Sequence, residues 1–193
     1  SKSPGQALPP LKAIGQIFKT YILAEGEDGL YIIDQHAAHE LCRFAKLQKK
    51  VKETNQPGQM LEPPITLQLT PAATVKLMDQ ITALEDLGFV IEKFGTNTFL
   101  LRSVPVGVLP GTEKKILEDF LEDGLSLAKD RLLKLIACHG AIKAGDVLAE
   151  QEIQKLLDEL QGTARPYTCP HGRPAVVRLD HSRLARYFHR TLP

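Results

Sequence analysis

The stretch Leu30-Tyr31-Ile32-Ile33-Asp34-Gln35-His36-Ala37-Ala38-His39-Glu40 passes from an apolar strand pattern into the start of a helix. The apolar run ends at Asp34, and polar groups just past a buried strand are a common place for a site. If residues 34–36 stay extended, Asp34 and His36 point the same way, because strand side chains alternate. A helix from about His36 to Lys52 puts Glu40 one turn beyond His36, about 40° around the axis. Asp34, His36 and Glu40 can therefore converge on one point. The same residues also describe a helix N-terminus with an Asp cap and a Glu in its first turn. Leu47 and Val51 continue the helix stripe. Cys42 lies about 200° around from Glu40 and reads as core.

Working outward, residues 12–18 and 20–25 read as strands, and Gly26, Asp28 and Gly29 supply turn chemistry, making 20–33 a hairpin. Residues 1–10 read as a Pro-rich linker, so the chain is expected to be a piece of something longer. Pro57 and Gly58 mark a polar hinge at 54–59. Beyond it, Ile65–Leu69 alternates like a strand, and Thr70-Pro71 is a strong helix start. Leu77, Met78, Ile81, Leu84 and Leu87 keep helical spacing up to Gly88. A second hairpin and a short helix at about 112–122 complete a compact α+β lobe, placed at 60–124. The last third predicts helices at 126–144 and 148–160, a loop, a short strand at 175–179, and a final helix capped by Asp180 and running to about Arg190. The fold class is α+β.

With 43% hydrophobic residues the chain has enough apolar surface to order itself. A formal net charge of +1 does not announce a nucleic-acid binder. Arg165, Arg173, Arg178, Arg183, Arg186 and Arg190 nevertheless crowd the C-terminal end, where Asp180 is the sole acid. They form either a solvated helix face or a phosphate-facing patch. Three cysteines without repeated spacing argue against a disulfide framework and for a reducing, intracellular setting. There is no long apolar run and no signal peptide, so no membrane is expected.

Two further segments carry chemistry. Cys169-Pro170-His171-Gly172-Arg173-Pro174 offers a thiolate and an imidazole on a loop shaped by Pro and Gly, and both are usual zinc ligands. A plain loop whose His only hydrogen-bonds fits the same residues. Cys138 sits on an apolar stripe with Leu135, Ala141 and Ile142, as a buried inert cysteine would. His139 falls off that stripe and reads as exposed. Lys143 faces phosphate or water. No Ser/His/Asp arrangement, zinc-finger spacing or glycine-rich phosphate loop is present, so nucleotide binding is not expected here.

Together these segments resemble the C-terminal domains of MutL-type DNA mismatch-repair proteins. Residues 34–40 are similar to the start of their endonuclease motif, DQHA-x2-E-x4-E. Residues 137–145, ACHGAIKAG, resemble their second motif, and 169–174, CPHGRP, their third. Phe188-His189-Arg190 is similar to the F-x-R near their C-terminus. The motifs occur in family order and the resemblance covers nearly the whole chain after the linker. It implies a dimerisation lobe built from both chain ends (11–59 with 125–193), an inserted regulatory lobe (60–124), and an ATP-binding region lying outside this sequence. It also implies a homodimer acting on DNA with mismatch-repair proteins such as MutS.

The implied metal ligands are Asp34, His36, Glu40, Cys138, Cys169 and His171, holding Zn2+ and/or Mn2+, with Asp34, His36 and Glu40 catalytic and Lys143 and Arg173 holding phosphate. Two positions depart from the pattern. Ala45 stands where the second Glu of the first motif belongs, about 140° around from Glu40. The sliding-clamp motif Q-x-x-[LI]-x-P is matched at Gln59 and Pro64, but Glu62 occupies the apolar position, where a charge is costly to bury. The reading that follows is an intracellular (in a bacterium, cytoplasmic) homodimer that nicks DNA by metal-dependent phosphodiester hydrolysis. The alternative is a non-catalytic dimerisation module with a structural ion.

Overall fold

The computed structural model describes residues 7–53, 58–122 and 128–190. Residues 1–6 of the expected linker, 54–57 of the expected hinge and the first residues of the helix expected at 126–144 lie outside that set. The fold is mixed α+β, and the chain divides into two compact units: the described residues of Ser1–Ala45 with Ala141–Pro193, and those of Lys46–Gly140.

The first unit holds an antiparallel sheet in the order β1-β2-β3-β7, formed by β1 (Lys12–Ile17), β2 (Tyr21–Gly26), β3 (Gly29–Asp34) and β7 (Val176–Asp180). Alternation sorts its faces. Ile22, Ala24, Tyr31, Ile33 and Val176 point inward onto Ala37, Ala38, Leu41 and Cys42 of α1 (Gln35–Glu53) and Ile153, Leu156, Leu157 and Leu160 of α5 (Glu150–Gln161). Leu8, within the stretch read as linker, is buried in this core. The side chain of Gln154 fastens α5 to β1, accepting from Ala13 N at 3.0 Å and donating to Leu11 O at 2.9 Å.

The β2–β3 turn is tied to β3 and to β7 through Asp28. Tyr31 donates its hydroxyl to Asp28 Oδ1 at 2.6 Å, and Arg178 pairs with Asp28 Oδ2. Burial, followed by the Asp28 contact, pushes the Tyr31 phenol well above its usual range. Gly29 has φ +146°, and a Cβ there would meet Leu179 O at 2.3 Å, so only glycine admits this close approach.

The second unit contains β4 (Gln59–Gln68), α2 (Pro71–Glu85), β5 (Val90–Lys93), β6 (Thr98–Val104), α3 (Glu113–Glu122) and α4 (Ala128–His139). Its sheet runs β4-β6-β5, and Leu67, Leu77, Leu84, Phe89, Phe99, Leu101, Ile116 and Ile136 are buried. Thr70 Oγ1 accepts from Ala73 N at 3.1 Å, with Pro71 opening α2 as its sequence predicts.

Three boundaries differ from the sequence expectation. The strand expected at 65–69 begins at Gln59, because Gln59 and Met60 pair with Val104 and Ser103 although their side chains are exposed. β4 is an edge strand, which tolerates Pro63 and Pro64. The helix expected to run to 144 ends at His139. The last helix, α6 (His181–Tyr187), stops short of Arg190, capped as expected by Asp180. Among the described residues, no helix is long and apolar enough to cross a membrane.

Candidate metal centre

The backbone brings two distant motifs together. Thr168 bridges Pro174, and Ala175 N donates to Tyr167 O at 2.9 Å, closing residues 167–175 into a narrow loop. Inside it Cys169 N donates to Arg173 O and Gly172 N to Cys169 O, both at 2.9 Å. Gly172 takes φ +82°, the left-handed conformation this turn requires. Asp34 N donates to Ala175 O at 3.0 Å, so the end of β3 and the start of α1 adjoin the loop.

Glu40, Cys169 and His171 meet there. Their ligand atoms all lie within 4.8 Å of one another. Glu40 and Cys169 are buried at 3% and 4% exposure, while the His171 side chain is 43% exposed. Glu40 Oε1 lies 2.8 Å from His171 Nδ1, yet this buried oxygen has no hydrogen-bond partner. The contact is a close approach without hydrogen-bond geometry. A buried carboxylate oxygen without a donor is costly, and a cation satisfies it. Carboxylate, thiolate and imidazole together suit a borderline divalent ion.

The remaining site residues are placed as follows. Asp34 Oδ1 accepts from Ala37 N at 3.0 Å, so Asp34 caps α1 and is not one of the clustered ligands. His36 lies outside the cluster too, half-buried one turn before Glu40, with Nδ1 2.8 Å from Ile142 O. That carbonyl can only accept, so Nδ1 carries a proton, and in the neutral ring Nε2 then keeps its lone pair. Cys42 is buried in the core. Lys143 and Arg173 are exposed. Gln59 is exposed and Pro64 half-buried on β4 of the second unit.

Cys138 belongs to the second unit, half-buried near the end of α4. His139, expected to be exposed, is instead half-buried and reaches Asp119 of α3 at 2.8 Å, a long-range partner that helical spacing does not reveal. The Lys115 ammonium, 2.7 Å from Asp119, and His139 hold that carboxyl below its ordinary range.

Two residues act in ways their sequence positions did not declare. Gln35 is fully buried and donates to Lys19 O at 3.0 Å, Lys143 O at 2.8 Å and Asp146 O at 3.2 Å, while Gln16 donates to its Oε1. His39 Nδ1 accepts from Ile142 N at 2.8 Å. These bonds satisfy the backbone of 142–146 without a helix, which is why the helical pattern ends early. The position of Gln35, between the end of an apolar strand and the start of a helix, was the available signal. We expect Gln35→Leu, which orphans this network, to lower stability by about 2–4 kcal/mol in chemical denaturation.

An α+β chain that gathers a carboxylate, a thiolate and an imidazole where a strand runs into a helix has the makings of a metal-binding protein. The family model described as "MutL C terminal dimerisation domain" matches residues 14–148, and the chain belongs to that family. It is 43% identical over 188 residues to the DNA mismatch repair protein MutL of Heliobacterium modesticaldum, covering 92% of this chain and 28% of that protein. It is 41% identical over 191 residues to MutL of Methanoculleus marisnigri, covering 95% and 32%. With MutL of Listeria welshimeri it shares 35% over 199 residues, covering 100% and 33%. The chain thus spans about a third of the length of these relatives.

Proposed function

We propose that this chain is the homodimerising C-terminal part of a mismatch-repair protein and that it nicks DNA by metal-dependent phosphodiester hydrolysis. The observation that carries the reading is the buried Glu40 oxygen, without a hydrogen bond and facing His171 and Cys169. Glu40, Cys169 and His171, joined by His36 through Nε2, hold Zn2+ or Mn2+. The bound ion supplies the charge that polarises a phosphodiester and eases deprotonation of water. Asp34 fixes the start of α1 and so the direction of His36 and Glu40. Arg173 and Lys143, exposed in the same unit, hold phosphate oxygens.

A single buried thiolate beside a carboxylate and a solvent-exposed imidazole favours an open site over the closed, sulfur-rich shell of a structural zinc. Dimerisation uses the outer face of the four-stranded sheet. There Leu23, Ile32 and Val177 lie directly opposite one another, and Leu30 faces Leu179. DNA, MutS-type proteins and a sliding clamp are the partners of this reading. Glu62 in the clamp motif weighs against the last.

The test is nicking of supercoiled plasmid with added manganese. The chain is expected to relax plasmid slowly, His171→Ala to fall to background, and Cys42→Ser, altered only in the core, to match the parent. A parent that leaves plasmid intact with either metal, or H171A at parental rate, would overturn the endonuclease reading.

A further inference from the structure

The backbone of one residue, Ile142, is held on both sides of its Cα by two histidines from the same helix. Ile142 N donates to His39 Nδ1 and Ile142 O accepts from His36 Nδ1, each at 2.8 Å. His36 and His39 are three residues apart on α1, so they are neighbours on its surface. Ile142 belongs to the segment that leaves helical structure after Gly140, and its polar groups need partners from elsewhere. His39 supplies the acceptor for its N–H. Anchoring that N–H fixes the backbone at the Ile142 Cα, whose carbonyl, in the next peptide unit, points toward His36, and in the neutral ring that carbonyl selects the tautomer that leaves His36 Nε2 unprotonated. An outer partner that fixes a ligand's tautomer and ring orientation typically changes metal affinity by about 10–100-fold when removed.

We propose that His39 is a positioning residue for the metal centre, acting through the backbone of Ile142 to hold His36 with its Nε2 lone pair presented. This rests on the metal-binding reading above. The Glu40–His171 contact does not pass through Ile142, so the route from His39 through this backbone leads to His36. What the Ile142 N–H needs from residue 39 is an acceptor at the Nδ1 position. Asparagine, whose Oδ1 reaches about as far as a histidine Nδ1, supplies it, and leucine, of similar size, does not.

The test compares His39→Asn with His39→Leu in two measurements. The first is the ring-nitrogen signature of His36 by NMR in the metal-free chain; the second is zinc affinity by competition with a chromogenic chelator. In the parent and H39N, His36 is expected as the Nδ1–H tautomer, with zinc affinities within about threefold of each other. In H39L, His36 is expected to mix tautomers and zinc to bind about tenfold more weakly. If H39L fails to fold, His39→Ala takes its place. The proposal is overturned if the acceptor-free variant keeps His36 in the parental tautomer, or if H39N loses it. A parent that binds no zinc would sink the metal reading, while the metal-free tautomer comparison would still decide the role of His39.

Discussion

Glu40→Gln is expected to weaken zinc binding by about 100-fold while leaving the metal-free chain as stable as the parent, or more so. The two halves of this expectation have one cause. Glu40 is buried at 3% exposure and its Oε1 has no hydrogen-bond donor, so the metal-free protein carries a carboxylate that burial disfavours. Glutamine keeps the shape and removes the charge, which relieves the metal-free state. The ion loses its anionic ligand and binds more weakly by about 2.7 kcal/mol, the equivalent of two factors of ten.

Thermal or chemical unfolding reads both effects. At zinc equal to 100 times the parental Kd, zinc stabilises the parent by about 2.7 kcal/mol and E40Q by about 0.4 kcal/mol. A carboxylate whose role was to hold His171 by an ion pair would behave oppositely. E40Q would then destabilise the metal-free chain and bind zinc within about twofold of the parent, and that result would falsify the ligand assignment.

Val177→Asp is expected to convert the dimer to a folded monomer. Val177 sits on the outer sheet face at 52% exposure, directly opposite Ile32, which in turn faces Leu23. In a monomer the new carboxylate remains in water, and the loss of a β-branched residue costs at most about 1 kcal/mol. In a dimer closed across this face the charge would be buried against apolar side chains, at a cost of several kcal/mol. The dissociation constant should rise by about a thousandfold or more. Sedimentation velocity, with circular dichroism to show the fold intact, checks this. Val75→Asp, at a still more exposed position on α2 of the second unit, should leave association unchanged. A V177D protein that sediments as the parent does would place the interface elsewhere.

Much of this molecule is legible without coordinates. The hairpin at 20–33 follows from alternation and turn residues, and α2 from Thr70-Pro71 and its apolar spacing, because each depends on neighbours close in the chain. Helical geometry alone put His36 and Glu40 on one side of α1 and turned Cys42 toward the core. Asp34 shows the limit of that reading: a carboxylate at a strand end satisfies the pattern of a ligand and of a cap alike, and its bond to Ala37 N shows the capping role. The helix expected to reach 144 misleads for a related reason. Ala141 and Ile142 continue the apolar stripe, but Gln35 and His39 capture the backbone there, and side-chain periodicity is blind to where backbone bonds go.

The sequence by itself determined the inventory: which groups could bind a metal, their order along the chain, the elements that carry them, and the family to which those motifs point. Only the tertiary structure decided which of them meet. Glu40 faces His171 because β3 pairs with β7 and Asp34 N bonds Ala175 O, contacts between segments far apart in the chain. The same long-range packing strips Glu40 Oε1 of water without giving it a donor. Local propensity and spacing carry no information about such closures, since the free energy that selects them comes from burying both segments in one shared core.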